Sequence, residues 1–491
     1  MNDERYKKLV LLHSNDMHGD FLAEDLDNKL VGGVSMLSGY ISKVKQEEEN
    51  VLYCIAGDMF RGSVIDSEYK GVSTIEIMNM LAPDVVTIGN HETDYGLSHL
   101  LFIEKCAKFP IINANLYIKM NGARLFNPYH IIEIGGMKIL FIGILTQDVM
   151  SATKNDTVIG SLVDINDAAE EIKKICNTFN GIDIDFTVLL THIGFDKDKE
   201  LASILDPALG VDVIIGGHSH TFMDEPCKVN DILIVQAGTG TDQIGRFDIV
   251  VDTDTNSVAS YTWKPIPINN ENCPTDDKIE GLIGKLKSET DLKYGKVLRR
   301  INTTLTHSTR YTQTTMGSFI ADCFKRIVKT DIAIIGSGSI RTKTLGPIIS
   351  LQDMMECYPF ENSLFELFVT GNQLKKMFEF VYRDENNQEN DTEFFQFSDG
   401  LYIEYNKSLK KITSFTFNCE DVDMNKIYKI VLPKYDCANM KSFFNISLEE
   451  IEKNGKKKVV CTSASEALYE FLGSKEKLPN YPDDSRLKIV D

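Results

Sequence analysis

Along the first half of the chain one local theme recurs: a short run of β-branched and apolar residues, followed at once by a polar loop. Leu9 to Leu12 leads into Ser14-Asn15-Asp16-Met17-His18, Val51 to Ala56 into Gly57-Asp58, and Val85 to Ile88 into Gly89-Asn90-His91-Glu92. Phe186 to Leu190 then leads into Thr191-His192, and Val211 to Ile215 into Gly216-Gly217-His218-Ser219-His220. Apolar runs that do not alternate with polar residues predict strands covered on both faces. Between them apolar residues recur at helical spacing, as in Val34, Leu37, Ile41 and Val44, and in Ile75, Met78 and Leu81 ahead of Pro83. Strand and helix in alternation predict an α/β domain whose strands end at a common edge.

Arg246 to Val251 reads as a further strand, and Pro265 to Thr275, rich in Pro and Asn, reads as a linker. A charged helical stretch from Asp276 to about Arg299 is expected to bridge two domains. Beyond it the pattern predicts helices over Met316 to Val328 and Gln373 to Val381, and strands over Ile332 to Ile335 and Ile427 to Leu432. The polar stretch Asp384 to Thr392 reads as a loop. The expected division is residues 1–270, a bridge over 271–300, and a second domain over 301–491; a chain of 491 residues is too long for a single core.

Composition narrows the choice of partners. The chain sets 52 Lys+Arg against 72 Asp+Glu for a net charge of -20, which repels polyanions and argues against nucleic acid. The Met1 to Val10 segment is polar and no apolar run is long enough to cross a bilayer, so the reading is a cytoplasmic protein with no membrane partner. Ten cysteines are scattered without CxxC pairs, which points to buried free thiols rather than a thiolate metal site or a disulfide framework. A small phosphate ester as substrate would need local cations to meet its charge.

The five polar loops hold that chemistry. They supply two aspartates, an asparagine and several histidines, the oxygen and nitrogen donors that borderline divalent metals accept. A two-metal site also needs an anionic group able to bridge the ions. Five of the nine histidines, His18, His91, His192, His218 and His220, share this setting, whereas His13 has a structural reading and His99, His130 and His307 have no ligand-like context.

The string Asp16-Met17-His18, Gly57-Asp58, Gly89-Asn90-His91-Glu92, Thr191-His192 and Gly217-His218-Ser219-His220 resembles the signature of calcineurin-like metallophosphatases. Flanking segments resemble the 5′-nucleotidase branch, cytosolic bacterial members included: GNHETDYG over Gly89 to Gly96, KILFIGILTQD over Lys138 to Asp148, and IVQAGTGTDQIG over Ile234 to Gly245. Ser339-Ile340-Arg341 and Tyr358-Pro359-Phe360-Glu361-Asn362-Ser363 extend the resemblance into the second half. It implies an N-terminal αββα sandwich joined by a helix to a smaller α/β domain. By the same resemblance Asp16, His18 and His220 would hold one metal, Asp58 would bridge, and Asn90, His192 and His218 would complete a second, the pair being Zn, Mn or Fe. His91 and Asp94 resemble the catalytic dyad.

In the second domain the resemblance implies nucleotide contacts from Arg310 and Arg341, with Phe360 and Phe443 stacking on the base. Two departures stand out: Gly336 replaces the usual Asn at the start of the glycine loop, and Asn439-Met440-Lys441-Ser442 replaces Gly-Gly-Asp-Gly. The implied activity is metal-dependent hydrolysis of nucleoside 5′-monophosphates or related esters. The alternatives are cleavage of 2′,3′-cyclic nucleotides or nucleotide sugars, and a non-catalytic nucleotide-binding protein.

Overall fold

The protein is described by a computed structural model over residues 5–26, 29–118, 120–145, 159–161, 164–179, 181–383, 393–476, 478 and 486–490. The chain divides into two compact units, Met1–Glu289 and Thr290–Asp491.

In the first unit two six-stranded sheets carry the apolar runs. One orders its strands Ser257–Pro267, Gln243–Asp252, Tyr6–Ser14, Val51–Ala56, Val85–Thr87 and Ile111–Ile112. The other orders them Cys227–Val229, Ile232–Val235, Val213–Ile215, Phe186–His192, Met137–Leu145 and Tyr129–Ile134. Side chains of a strand alternate between its two faces. Leu9, Leu11, Leu52, Cys54 and Ala56 of the first sheet therefore pack in one core with Phe141, Phe186, Val188 and Val213 of the second. Val10, Leu12, Tyr53 and Ile55 turn the other way, onto the helices Val34–Glu47, Val72–Leu81 and Leu97–Cys106. Leu140, Ile142, Leu189 and Ile214 pack likewise against Ile165–Thr178 and Phe195–Ile204. The result is an αββα sandwich, and strands covered on both faces are why these runs do not alternate. The strand ends that carry the polar loops belong to two stacked sheets, where the pattern alone pointed to one edge.

The segment expected as a linker is part of this unit. Pro265 and Pro267 lie on the strand Ser257–Pro267, opposite Gly245 and Gln243. Proline is tolerated there because an edge strand leaves its outer N–H positions without ladder partners. Ile268 is buried, donates its N–H to Asp242 O at 2.8 Å and accepts from Gly32 N at 2.9 Å. The charged helix spans Asp277–Tyr294 and buries Ile279, Ile283 and Leu286 in the core of the first unit. It stops short of the expected end, because Gly295 closes it and Val297–Arg300 is a strand paired with Ile348–Ser350.

In the second unit a five-stranded sheet runs Phe395–Phe397, Ile332–Gly336, Ile427–Pro433, Leu364–Thr370 and Lys458–Cys461. One face packs on the helices Thr315–Val328 and Ala464–Gly473. The other packs on Gly371–Val381 and on the strands Leu401–Asn406 and Lys411–Phe417. Thr314 caps the first helix by accepting from Gly317 N, and Thr370 forms a capping box with Gln373. The expected loop at 384–392 lies outside the described residues, as does the end of the KILFIGILTQD segment beyond residue 145. All ten cysteines are free thiols. No helix among the described residues is long and apolar enough to cross a membrane.

Candidate active site

The loops that follow Tyr6–Ser14, Val51–Ala56 and Val85–Thr87 in one sheet meet those that follow Phe186–His192 and Val213–Ile215 in the other. Their backbone is bent sharply to do so. Asp16, His18, Asp58, His218 and His220 take φ of 51°, 51°, 53°, 81° and 54°, a left-handed conformation costing roughly 1–3 kcal/mol each. Backbone bonds across loops hold the bends: Asp16 N donates to Gly57 O at 3.0 Å and His18 N to Asp58 O at 2.9 Å. A Cβ at Gly89 would run into the Asp58 carboxylate, and one at Gly217 would lie 2.7 Å from His192 Nδ1. The buried carboxylate of Glu92 accepts from Asp58 N at 3.0 Å, Met59 N at 2.7 Å and Gly89 N at 2.6 Å, tying two loops together. Its role as a fastener was missed, although it stands inside the quoted Gly89-Asn90-His91-Glu92 string.

Side chains converge accordingly. The ligand atoms of Asp16, His18 and His220 lie within 4.8 Å of one another, as do those of Asp16, Asp58 and His192 and those of His18, Asp58 and His91. His18 Nε2 is 3.0 Å from His220 Nε2, and His220 Nε2 is 3.3 Å from Asp16 Oδ1. His192 Nε2 stands 3.2 Å from Asp58 Oδ2 and 3.8 Å from Asp16 Oδ1. His218 Nδ1 reaches Asn90 Oδ1 at 3.2 Å, and its ring lies edge-on to that of His192. All seven residues expected as metal ligands thus share one cluster.

The donor set suits divalent cations. His192 gives its Nδ1–H to Ala56 O at 2.8 Å, which leaves the lone pair on Nε2, buried and without a well-directed hydrogen bond, facing Asp58. A nitrogen lone pair and a carboxylate oxygen at that distance repel unless a proton or a cation lies between them. Burial works to lower the His192 pKa, yet Asp58 and Asp16 outweigh it and raise it to about 10. Burial likewise works to raise the carboxyl pKa values, but His220 and His192 hold Asp16 below its ordinary range, and His192 and His91 do so for Asp58. The site demands positive charge, and a divalent ion on its imidazole and carboxylate donors meets that demand.

Beside the cluster, His91 Nδ1 bonds Asp94 Oδ2 at 2.7 Å, and His91 N donates to Asp58 Oδ1 at 2.9 Å. His13 is turned away, buried, and accepts from Trp263 Nε1 at 2.9 Å.

In the second unit the Arg341 guanidinium lies 5.1 Å from the centre of the Phe360 ring. The Phe443 ring lies 5.6 Å from that of Phe395 and 5.8 Å from that of Tyr435. The glycine loop is a turn over Ser337–Ser339, and Gly338 N donates to Glu393 Oε1 at 2.6 Å. Burial pushes the Glu393 pKa up, while Arg310 and Arg341 pull it down, so one carboxyl stands in the field of both arginines. At Gly336 a Cβ would come 3.2 Å from Glu393 Oε1 and 3.3 Å from Asp436 Oδ1, a tight approach to two carboxyl groups. Glu393 and the half-exposed Tyr435, which is in the field of Arg341, escaped the sequence reading. Tyr435 was legible in principle, since it sits in the short helix Lys434–Ala438 that immediately follows the strand Ile427–Pro433.

A family model described as calcineurin-like phosphoesterase matches residues 9–222, and one described as 5′-nucleotidase, C-terminal domain, matches residues 292–446. The 5′-nucleotidase of Mus musculus is 28% identical over 508 residues, covering 91% of this chain and 85% of its own. The snake venom 5′-nucleotidase of Naja atra is 26% identical over 496 residues, covering 89% of this chain and 91% of its own. The crystal structure of a 5′-nucleotidase precursor from Thermus thermophilus superposes with a TM-score of 0.80 at 22% identity, over 99% of this chain and 100% of that one. These relatives correct the cytoplasmic reading: one of them is a venom protein, so this two-domain plan is not the mark of a cytosolic protein. A polar first segment and the lack of a long apolar run bear on membrane crossing, not on the compartment in which the folded chain works.

Proposed function

As a chain that joins a calcineurin-like phosphoesterase domain to a 5′-nucleotidase C-terminal domain, the protein belongs to the 5′-nucleotidase family and is a metal-dependent phosphoester hydrolase, and we propose that nucleoside 5′-monophosphates are its substrates. The observation that carries this reading is the convergence of Asp16, His18, Asp58, Asn90, His192, His218 and His220 beside the His91–Asp94 pair. We assign hydrolysis to the unit Met1–Glu289 and nucleoside recognition to the unit Thr290–Asp491.

Asp16, His18 and His220 would hold one divalent ion and Asn90, His192 and His218 a second, with Asp58 shared, the ions being Zn, Mn or Fe. Bound there, such ions lower the pKa of water and offset charge on phosphoryl oxygens. The chain's own contribution is positional. Asp58 and Asp16 stay ionised, Glu92 ties the Asp58 loop to that of Gly89, and Asp94 accepts from His91 Nδ1, which orients the ring and stabilises its imidazolium form, whose Nε2–H would be given to a phosphoryl or leaving oxygen. Arg310 and Arg341 supply the cations a phosphorylated substrate needs on an acidic protein. Phe360 offers a stacking face worth roughly 1–3 kcal/mol per base. We read the departures at Gly336 and over Asn439 to Ser442 as bearing on base preference rather than on hydrolysis.

Metal-loaded protein is expected to release phosphate from AMP and other nucleoside monophosphates, with two ions per chain by metal analysis. Phosphate release absent from every monophosphate, but turnover of 2′,3′-cyclic nucleotides or nucleotide sugars, would replace the monoester reading with a diester or pyrophosphate one. His91→Ala is expected to abolish turnover with metal content retained; a binding-only protein would show no turnover before the substitution either.

A further inference from the structure

Arg61 lies three residues beyond Asp58, with φ of +68°, and none of the roles above uses it. Its Nε–H donates to Asp94 Oδ2 at 3.0 Å, the same oxygen that His91 Nδ1 reaches at 2.7 Å. The guanidinium lies 5.0 Å from the centre of the Tyr95 ring. The Tyr95 hydroxyl donates to Asp66 Oδ2 at 2.9 Å, and that oxygen accepts from Arg61 N at 3.0 Å. Asp66 is buried and also accepts from Thr74. The contacts close a ring from Arg61 through Asp94, Tyr95 and Asp66 back to the backbone of Arg61. Next to it, Gly62 has the His18 carbonyl where a Cβ would stand, so the ring is anchored against a loop of the metal cluster.

We propose that Arg61 is a positioning residue that acts on His91 through Asp94. An oxygen that receives two donors at once cannot rotate freely about the Asp94 carboxyl bond, and its fixed direction sets the plane of the His91 ring. The aromatic ring beneath the guanidinium and the bond to Asp66 leave Arg61 one pose. The role rests on the assignment of His91 to the reaction.

The test uses the metal-loaded full chain with AMP as substrate. Arg61→Met is expected to lower kcat by about 10- to 100-fold, the range found when the partner that orients a functional histidine is removed, with KM, metal content and Tm held. Arg61→Lys, which keeps one donor, should recover part of the loss. In an Asp94→Asn background, Arg61→Met should cost less than about twofold, because the two act as one unit. Wild-type kcat in Arg61→Met beside an inactive His91→Ala would overturn the role of Arg61 alone. So would a loss that appears only in KM, or one fully additive with Asp94→Asn. An active His91→Ala would instead remove the premise, and the role of Arg61 with it.

Discussion

The chemistry of single residues here depends on backbone that most side chains avoid. Asp16, His18, Asp58, His218 and His220 are all left-handed, and they persist because cross-loop bonds and the Glu92 carboxylate over-determine them. One of these constraints is steric. Gly89→Ala would drive a methyl into the Asp58 carboxylate, so turnover should fall by about tenfold or more while far-UV circular dichroism is unchanged. An alanine variant with wild-type rate would show that the loop relaxes freely and that Asp58 is not held as described. Residue types and order in the loops were readable directly, since Asp, His and Asn after apolar runs form an unusual inventory. The support around them was not: a glutamate that accepts three amides looks in sequence like any other acid.

At the scale of elements, the approach to the helix Thr315–Val328 shows how a buried imidazole couples a segment to pH. His307 Nδ1 lies 2.9 Å from Thr314 Oγ1 and Nε2 lies 3.2 Å from Ser337 O, so the neutral ring links the helix cap to the glycine loop. Burial, aided by Arg310, lowers its pKa to about 4 from the ordinary 6.5. Between those values the unfolded chain binds a proton that the folded chain refuses, so stability is present above pH 6.5 and is lost as pH falls toward 4. The loss is on the order of 2–3 kcal/mol. Thermal melts of wild type and His307→Gln across this window should converge as pH falls; parallel curves would show that another group is responsible. Elements with continuous apolar runs were legible to within about three residues. Pro265 to Pro267 were misread because prolines on an edge strand have the composition of a loop, and the turn after them packs into the first unit. The end of the charged helix was misjudged because Lys296 to Arg300 carries no apolar period to distinguish strand from helix.

For the whole molecule, the seven clustered residues proposed as metal ligands lie in the first unit and the arginines and aromatic rings proposed for the substrate in the second, so metal removal should have a localised effect. A ligand that binds only the folded state stabilises by about 2.7 kcal/mol at a hundredfold excess over its Kd. Calorimetry of chelated and metal-loaded protein should therefore show a fall in Tm for the transition of Met1–Glu289, with that of Thr290–Asp491 little changed. Equal shifts in both would mean that the metal is not confined to the first unit. A net charge of -20 means that a phosphorylated ligand has to be met by local cations, the part proposed for Arg310 and Arg341.

By itself the sequence determined which residue types stand at the ends of which strands, because hydrophobic burial writes strand and helix periods into the chain and the chemistry of a metal site restricts its donors to a few side chains. Only the tertiary structure decided which of those ends belong to which of the two sheets, that Pro265 to Pro267 extend an edge strand, and that Arg61, Glu92 and Glu393 stand where they do. The physical reason is that sheet pairing and loop-to-loop hydrogen bonds are made between residues far apart in the chain, such as His192 and Ala56 or His218 and Asp16, and leave no periodic trace in the order of residues.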